Sequence, residues 1–352
     1  MMTDAIPRRI AAIKDRLSAI LSRKPEFSAD PATHSFCRMR LQWLADSRAI
    51  DTAAEHALSG TSGYAAEQVL IIDEGDNPLT TAELIIAAYI TGTALRIKTR
   101  NHCDWLNMLC GQPGTDSVTC EFAGPEQHDT ALLHSADTVV VTGSDALIRH
   151  WRKITPPPVR LIENAPKISA MIICGTDLPA PELILWDTCL FLREVNDSPR
   201  FILLDNTMMA ERLYSSLSQV LNELPCLPQH IRLHQMVKAR ELSLRHVLTP
   251  DLRPPVYSTA SGWGLTLRRT FEPAHWLPYG FNLITGDPAE HLKMAARYRP
   301  GQLQTLGCYG RQDLLPLRAS RFSRHCDCGQ MHNPPFSFSA LITPVQNDIR
   351  LR

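Results

Sequence analysis

The strongest limit on the fold is an alternation of hydrophobic periods between residues 65 and 155. "EQVLII", "TALRIK", "SVTCEFA" and "DTVVVTG" are short runs that read as strands. Between them stands "LTTAELIIAAYITG", a helix with Leu84, Ile85, Ala88 and Tyr89 on its apolar face and Gly92 to stop it. "DWLNML" and "DTALLHSA" read as shorter helices, and a Gly-Ser turn opens the helix "SDALIRHWRKI". Strands alternating with helices predict parallel β-α-β units and a doubly wound α/β sheet.

A chain of 352 residues is too long for one ordinary core, so two domains are expected. "TPPPVRLIENAPK" interrupts the alternation and predicts a rigid, extended connector where the chain crosses between them. Past it, "ISAMIIC", "RFILLD", "PYGFNLITG" and "LQTLGCYG" read as strands, and "TMMAERLYSSLSQVLNEL" as an amphipathic helix. Residues 8 to 60 read as mostly helical. There Ile10, Ile13, Leu17, Ile20 and Leu21 form one stripe, the mark of a docked amphipathic helix.

Lys plus Arg and Asp plus Glu both number 36, so the whole chain has no pull toward nucleic acid or an anionic membrane. The opening "MMTDAIPRRIAAIKDRLSAIL" holds no apolar run long enough for a signal core or a membrane span. Ten cysteines scattered without a secretion signal predict small buried hydrophobes in a reduced, cytoplasmic protein.

In order along the chain, "VVVTGSDALIRHW", "RLIENAPKISAMII" and "DSPRFILLD" resemble the aldehyde dehydrogenase superfamily. The resemblance is nearest to the long-chain acyl-CoA reductases of bacterial bioluminescence (LuxC-like) and covers roughly residues 65 to 345. "EGDNP" falls where those reductases carry a Gly-Asn-x-Pro turn, and "GQLQTLG" and "RHCDCGQM" are similar to their C-terminal patches.

The resemblance implies an aldehyde-dehydrogenase-like fold of two doubly wound α/β domains with the active cleft between them. The dinucleotide-binding domain would span residues 1–163 and be rejoined by about 320–352, with a catalytic-type domain at 164–319. It implies NADPH- or NADH-dependent reduction of a fatty acyl-CoA or acyl-carrier thioester to an aldehyde, and a homo-oligomer. An acyl-transferring partner protein is also expected.

Residue by residue, Lys98 is the candidate for the adenosine ribose or its 2′-phosphate. Gly143 and Ser144, opening a helix, would face the pyrophosphate. Alone, Lys98 also reads as a solvated strand end and Ser144 as a helix cap. Glu163 and Lys167 of "ENAPK" stand where the superfamily writes Glu-Leu-Gly-Gly-Lys, so Glu163 matches the general base. A Glu salt-bridged at a domain seam is the alternative.

The reductases carry Asp, eight residues, Cys, one residue, then Ser-Pro. Laid on Asp187 and Ser198-Pro199, the nucleophile slot falls on Asn196. An amide nitrogen delocalised into its carbonyl cannot replace a thiolate. Asn196 could instead donate a hydrogen bond to a bound thioester carbonyl, or cap a helix. The oxyanion Asn of the family is matched by Asp76, with Asn77 one place along, and an ionised Asp76 would repel an oxyanion.

Cys189 is the candidate for a relocated nucleophile, yet two helical turns, about 10 Å, would separate it from Asn196. Two further readings are open. One is a catalytically inactive protein on the same frame, serving as an acyl-binding or partner subunit. The other is a zinc site built from His325, Cys326, Cys328 and His332, for which Cys-x-Cys is a poor chelate.

Overall fold

The computed structural model describes residues 5–59, 64–74, 77–99, 103–111, 119–124, 126–193, 195–310, 321–338 and 342–343. The chain divides into two compact units, residues 1–166 with 335–352, and residues 167–334. The return to the first unit falls at Pro335 rather than near 320, because residues 324–327 form a strand of the second unit's sheet.

The first unit opens with helices α1 (Ala5–Ser22), α2 (Pro31–Asp46) and α3 (Ala49–Ser59). It continues through β1 (Tyr64–Ala65), β2 (Gln68–Asp73), α4 (Pro78–Thr91), β3 (Ala94–Thr99), α5 (Asp104–Cys110) and β4 (Cys120–Phe122). α6 (Asp129–Leu133), β5 (Thr138–Thr142), α7 (Asp145–Ile154) and β6 (Arg160–Asn164) complete the winding. The α1 stripe of Ile10, Ile13, Leu17, Ile20 and Leu21 is buried, and α1 packs against α2, α4 and α5.

β2 to β6 form one parallel sheet in the order β4-β3-β2-β5-β6. Leu70, Ile72, Val139 and Val141 pack on Leu132 and Leu133 of α6 and on Ile148 and Trp151 of α7. Val69, Ile71 and Val140 alternate to the opposite face and are buried too, so both faces are covered. The strand order reverses between β2 and β5, which opens a crevice at their carboxyl ends.

The expected connector is half strand. After the Pro156–Pro158 turn, "RLIEN" pairs in parallel with β5 as the sheet's edge, because proline cannot supply the ladder N–H and the pairing starts beyond it.

The second unit runs β7 (Ile168–Cys174), α8 (Pro181–Cys189), β8 (Pro199–Leu204), α9 (Thr207–Val220), α10 (Gln229–Leu248), β9 (Arg253–Tyr257) and β10 (Gly264–Arg268). β11 (Gly280–Thr285), α11 (Pro288–Tyr298), β12 (Leu303–Gly310) and β13 (Arg324–Asp327) follow. Its sheet has the order β13-β12-β7-β8-β11-β10-β9, parallel except for β9.

Met171 and Ile173 of β7 face a core with α8, α9 and α10. Ala170 and Ile172 face Leu292, Ala295 and Ala296 of α11. β14 (Ile342–Thr343) pairs antiparallel with β1 in the first unit. No helix among the described residues is long and apolar enough to cross a membrane.

Candidate functional site

The switch point of the first unit is where an open α/β sheet offers a crevice to a ligand. A cavity of about 660 Å³ lies there, lined by Asp73 and Glu74 past β2, Lys98 at the end of β3, and Phe122, Asp129 and Trp151. Asp73 is buried and its carboxylate accepts the Thr81 hydroxyl at the start of α4.

Gly143 and Ser144 follow β5 and open α7, as the sequence indicates, and the Ser144 side chain caps the helix by accepting the Leu147 N–H at 3.3 Å. The anion on this helix end is a side chain of the protein. Glu74 Oε2 accepts the Ser144 N–H at 2.5 Å, and Glu74 Oε1 accepts the Ser144 hydroxyl at 3.0 Å. A Cβ at Gly143 would lie 2.6 Å from the Glu74 carboxyl carbon, so this close approach needs glycine.

Lys98 is not a solvated strand end. Its Nζ donates to Asp129 Oδ1 at 2.7 Å and to the Gln127 carbonyl at 3.1 Å. The other Asp129 oxygen meets His150 Nε2 at 2.7 Å. Burial pushes the Asp129 carboxyl up, but the hydrogen bonds and charges of Lys98 and His150 outweigh it and hold it below its ordinary range.

Glu163, on the edge strand β6, is gripped by Arg152. Arg152 Nε donates to Oε1 at 2.7 Å and its Nη2 donates to Oε2. That bidentate bond keeps the Glu163 carboxyl below its ordinary range, and a general base needs the opposite tuning. Asn77 caps α4, its Oδ1 accepting the Leu79 N–H at 3.0 Å. Asp76 lies outside the described residues.

In the second unit, α8 ends at Cys189, so the two-turn helical spacing to Asn196 does not apply. Phe191, Leu192 and Arg193 instead have φ of 54°, 49° and 66°, a left-handed turn that reverses the chain before β8. Cys189 is 7% exposed and belongs to the core with Ile184, Ile202 and Met209. A nucleophile needs access to its substrate, and this residue has little in the folded chain.

Asn196 caps no helix. Its Oδ1 accepts the Lys167 N–H at 2.9 Å and its own carbonyl accepts the Ser169 hydroxyl at 2.6 Å, which ties the turn before β8 to the start of β7.

The most perturbed carboxyl among the described residues is that of Asp187, which the sequence marks only as the anchor of the nucleophile segment. Asp187 is fully buried and accepts the N–H groups of Gly329 (2.5 Å) and Met331 (3.0 Å), while its carbonyl meets His332 Nε2 at 2.8 Å. Burial pushes its pKa up to about 7. His332 and Cys328 are thereby committed to the fold, and Cys326 and His325 alternate on opposite faces of β13. No group of three or more His, Cys, Asp or Glu side chains among the described residues is placed to hold a metal ion. A zinc site would need its donors to converge, whereas the adjacent His325 and Cys326 stand on opposite faces of β13 and Cys328 and His332 are buried in contacts of the fold.

No protein-family model and no curated protein sequence matches the chain. Solved structures do match it. A NAD-dependent aldehyde dehydrogenase from Sinorhizobium meliloti superposes with a TM-score of 0.69 at 12% identity, over 96% of this chain and 81% of that one. Aldehyde dehydrogenase 21 from Physcomitrella patens, solved with the reaction product succinate, gives 0.70 at 10% identity, over 97% and 84%. Aldehyde dehydrogenase C from Pseudomonas syringae, a variant solved with NAD+ and octanal, gives 0.60 at 11%, over 96% and 84%. The chain therefore has an aldehyde-dehydrogenase-like fold, with α/β units built on parallel sheets.

The sequence resemblance expects a dinucleotide pyrophosphate at the first amides of α7. The residues present do not fit that group as they stand. The Glu74 carboxylate already holds the Ser144 N–H and hydroxyl, and a pyrophosphate there would set like charges against each other. In this structure it is the Glu74 carboxylate that occupies the Ser144 end of α7. Glu74 had one legible signal, an acid directly after the strand at the switch point.

Proposed function

We propose that this is a divergent LuxC-like relative of the acyl-CoA reductases that forms no acyl-enzyme and serves as an acyl-binding or partner subunit of an acyl-transferring system. The observation that carries this reading is the state of the nucleophile segment. The resemblance puts the slot on Asn196, whose side-chain oxygen is engaged by the Lys167 N–H, and the nearby Cys189 is sealed in the core.

The other assigned positions support it. Glu163 is tied to Arg152, Lys98 to Asp129, and Ser144 to Glu74. A general base, a phosphate-binding cation and an anion-binding helix end are each engaged by a neighbour within the chain. The protein is proposed to be cytoplasmic and homo-oligomeric, in line with its cysteine usage and the superfamily's habit.

The test is turnover. Purified protein is incubated with long-chain acyl-CoA and acyl-carrier thioesters, with NADPH and then NADH, and aldehyde is measured by mass spectrometry. The proposal expects none above a no-protein control. Aldehyde that depends on both protein and cofactor would overturn it.

One observation favours a second reading, NADPH- or NADH-dependent reduction of the thioester. The crevice beside Lys98 keeps about 660 Å³ of open volume. Site residues for that activity would be Lys98, Glu163 and Asn196, with Asn196 donating a hydrogen bond to the thioester carbonyl.

A further inference from the structure

We infer that Glu74 is a built-in counter-anion that excludes dinucleotides from the switch-point crevice, so that this one carboxylate sets the ligand specificity of the first unit. The inference rests on the non-catalytic reading only in taking the crevice to be retained without a redox cofactor.

Three features of the first unit converge on it. The N-terminus of α7, a helix of ten residues, carries partial positive charge and amides that lack partners within the helix, and it opens on the crevice formed where the strand order reverses. The amide and hydroxyl of its capping residue are both bound by Glu74, in the two-point manner in which a phosphate oxygen pair would be held. Gly143 leaves room for this approach, since a Cβ there would lie 2.6 Å from the Glu74 carboxyl carbon and push that side chain off the Ser144 amide.

The cation that could draw an anion back is also neutralised within the chain. Lys98 lines the same cavity and is held by Asp129, which is held in turn by His150. A pyrophosphate approaching α7 thus meets the carboxylates of Glu74 and Asp129 and finds no uncommitted cation among the described residues lining the cavity. What remains open is the volume beside Phe122 and Trp151, which suits an uncharged or cationic ligand better than a polyanion.

The experiment uses the full chain without substrate. NAD+, NADPH and inorganic pyrophosphate are titrated by calorimetry into wild type, Glu74→Gln and Glu74→Ala. Glu74→Gln keeps the shape and removes the charge, and Glu74→Ala removes both. Wild type is expected to bind each probe only weakly, and the variants on the order of tenfold or more tightly, since a full like charge at contact distance has been removed.

Equal affinity in wild type and variants would overturn the inference. So would tight binding by wild type, or no binding by either variant.

A second measurement needs no variant. Hydrogen exchange in wild type should show the Ser144 amide protected and unchanged by saturating NAD+; a freely exchanging amide, or one newly protected by NAD+, would sink the idea. Binding is read apart from turnover. A variant that gains NADPH binding and then makes aldehyde supports the inference while contradicting the non-catalytic reading. A wild type that binds NADPH tightly without turnover does the reverse.

Discussion

Replacing Asp187 by Asn should change the pH dependence of stability in a direction set by burial. Burial raises the Asp187 carboxyl from its ordinary 3.8 to about 7, against the opposing pull of the Gly329 and Met331 N–H groups and of Arg324, with Asp197 adding to the rise. At roughly 1.4 kcal/mol per pH unit, ionising this group in the folded chain costs about 4 kcal/mol more than in the unfolded chain.

The folded pKa lies above the unfolded one, so the carboxyl's contribution is fully present below about pH 4 and is lost as pH rises through about 7. The amide introduced by Asp187→Asn would carry no charge but would accept only one of the two N–H groups, at a cost of roughly 1–3 kcal/mol at every pH. Between pH 5 and pH 8 wild type should therefore lose about 3 kcal/mol of stability relative to the variant.

Urea denaturation followed by tryptophan fluorescence, on both proteins from pH 5 to pH 8, measures this. Subtracting the two profiles removes every group whose surroundings the substitution leaves unchanged. A stability gap that stays constant within about 1 kcal/mol across that range would refute the reasoning.

Other perturbations have smaller or sharper readouts. Asn196→Ala should cost about 1–2 kcal/mol in denaturant unfolding, since the Lys167 N–H loses its acceptor. Glu163→Gln should leave the urea midpoint nearly unchanged, because the Arg152 side chain is 61% exposed and water screens the pair; a clear drop would give the pair a structural role it is denied here. Iodoacetamide should alkylate the exposed Cys226 well before Cys189, as peptide mapping would report, and early labelling of Cys189 would contradict its place in the core. Cys189→Ser should destabilise by roughly 1–3 kcal/mol, the cost of a hydroxyl among Ile184, Ile202 and Met209, measured by the same denaturation.

The parallel sheets were legible because their strands are buried on both faces and read as unbroken apolar runs, as in "VLII" and "VVV". α4 was legible from its apolar face and its Gly92 stop, a left-handed cap at φ 82°. β6 was hidden by the prolines that precede it, since the pairing of "RLIEN" is decided by its neighbour β5 and not by its own composition. α10 was missed because Leu233, Val237, Leu244, Val247 and Leu248 are exposed, so its apolar residues do not mark a buried face.

Within the candidate site, Lys98, Ser144 and Glu163 could be named from their order in the chain. Their partners could not, because Asp129, Glu74 and Arg152 reach them from other elements of the fold. Propensity and period report on a segment's own geometry, whereas the commitment of a side chain is a tertiary fact. Cys189 shows the same limit, since only the left-handed turn after α8 reveals that its helix stops there.

The most direct test of the account is the intact mass of the protein after incubation with a long-chain acyl-CoA, followed by quenching and mass spectrometry. The account predicts an unchanged mass, because Asn196 cannot form a thioester and Cys189 is sealed. A stoichiometric acyl adduct, mapped to Cys189 or any other cysteine and discharged by NADPH, would contradict it.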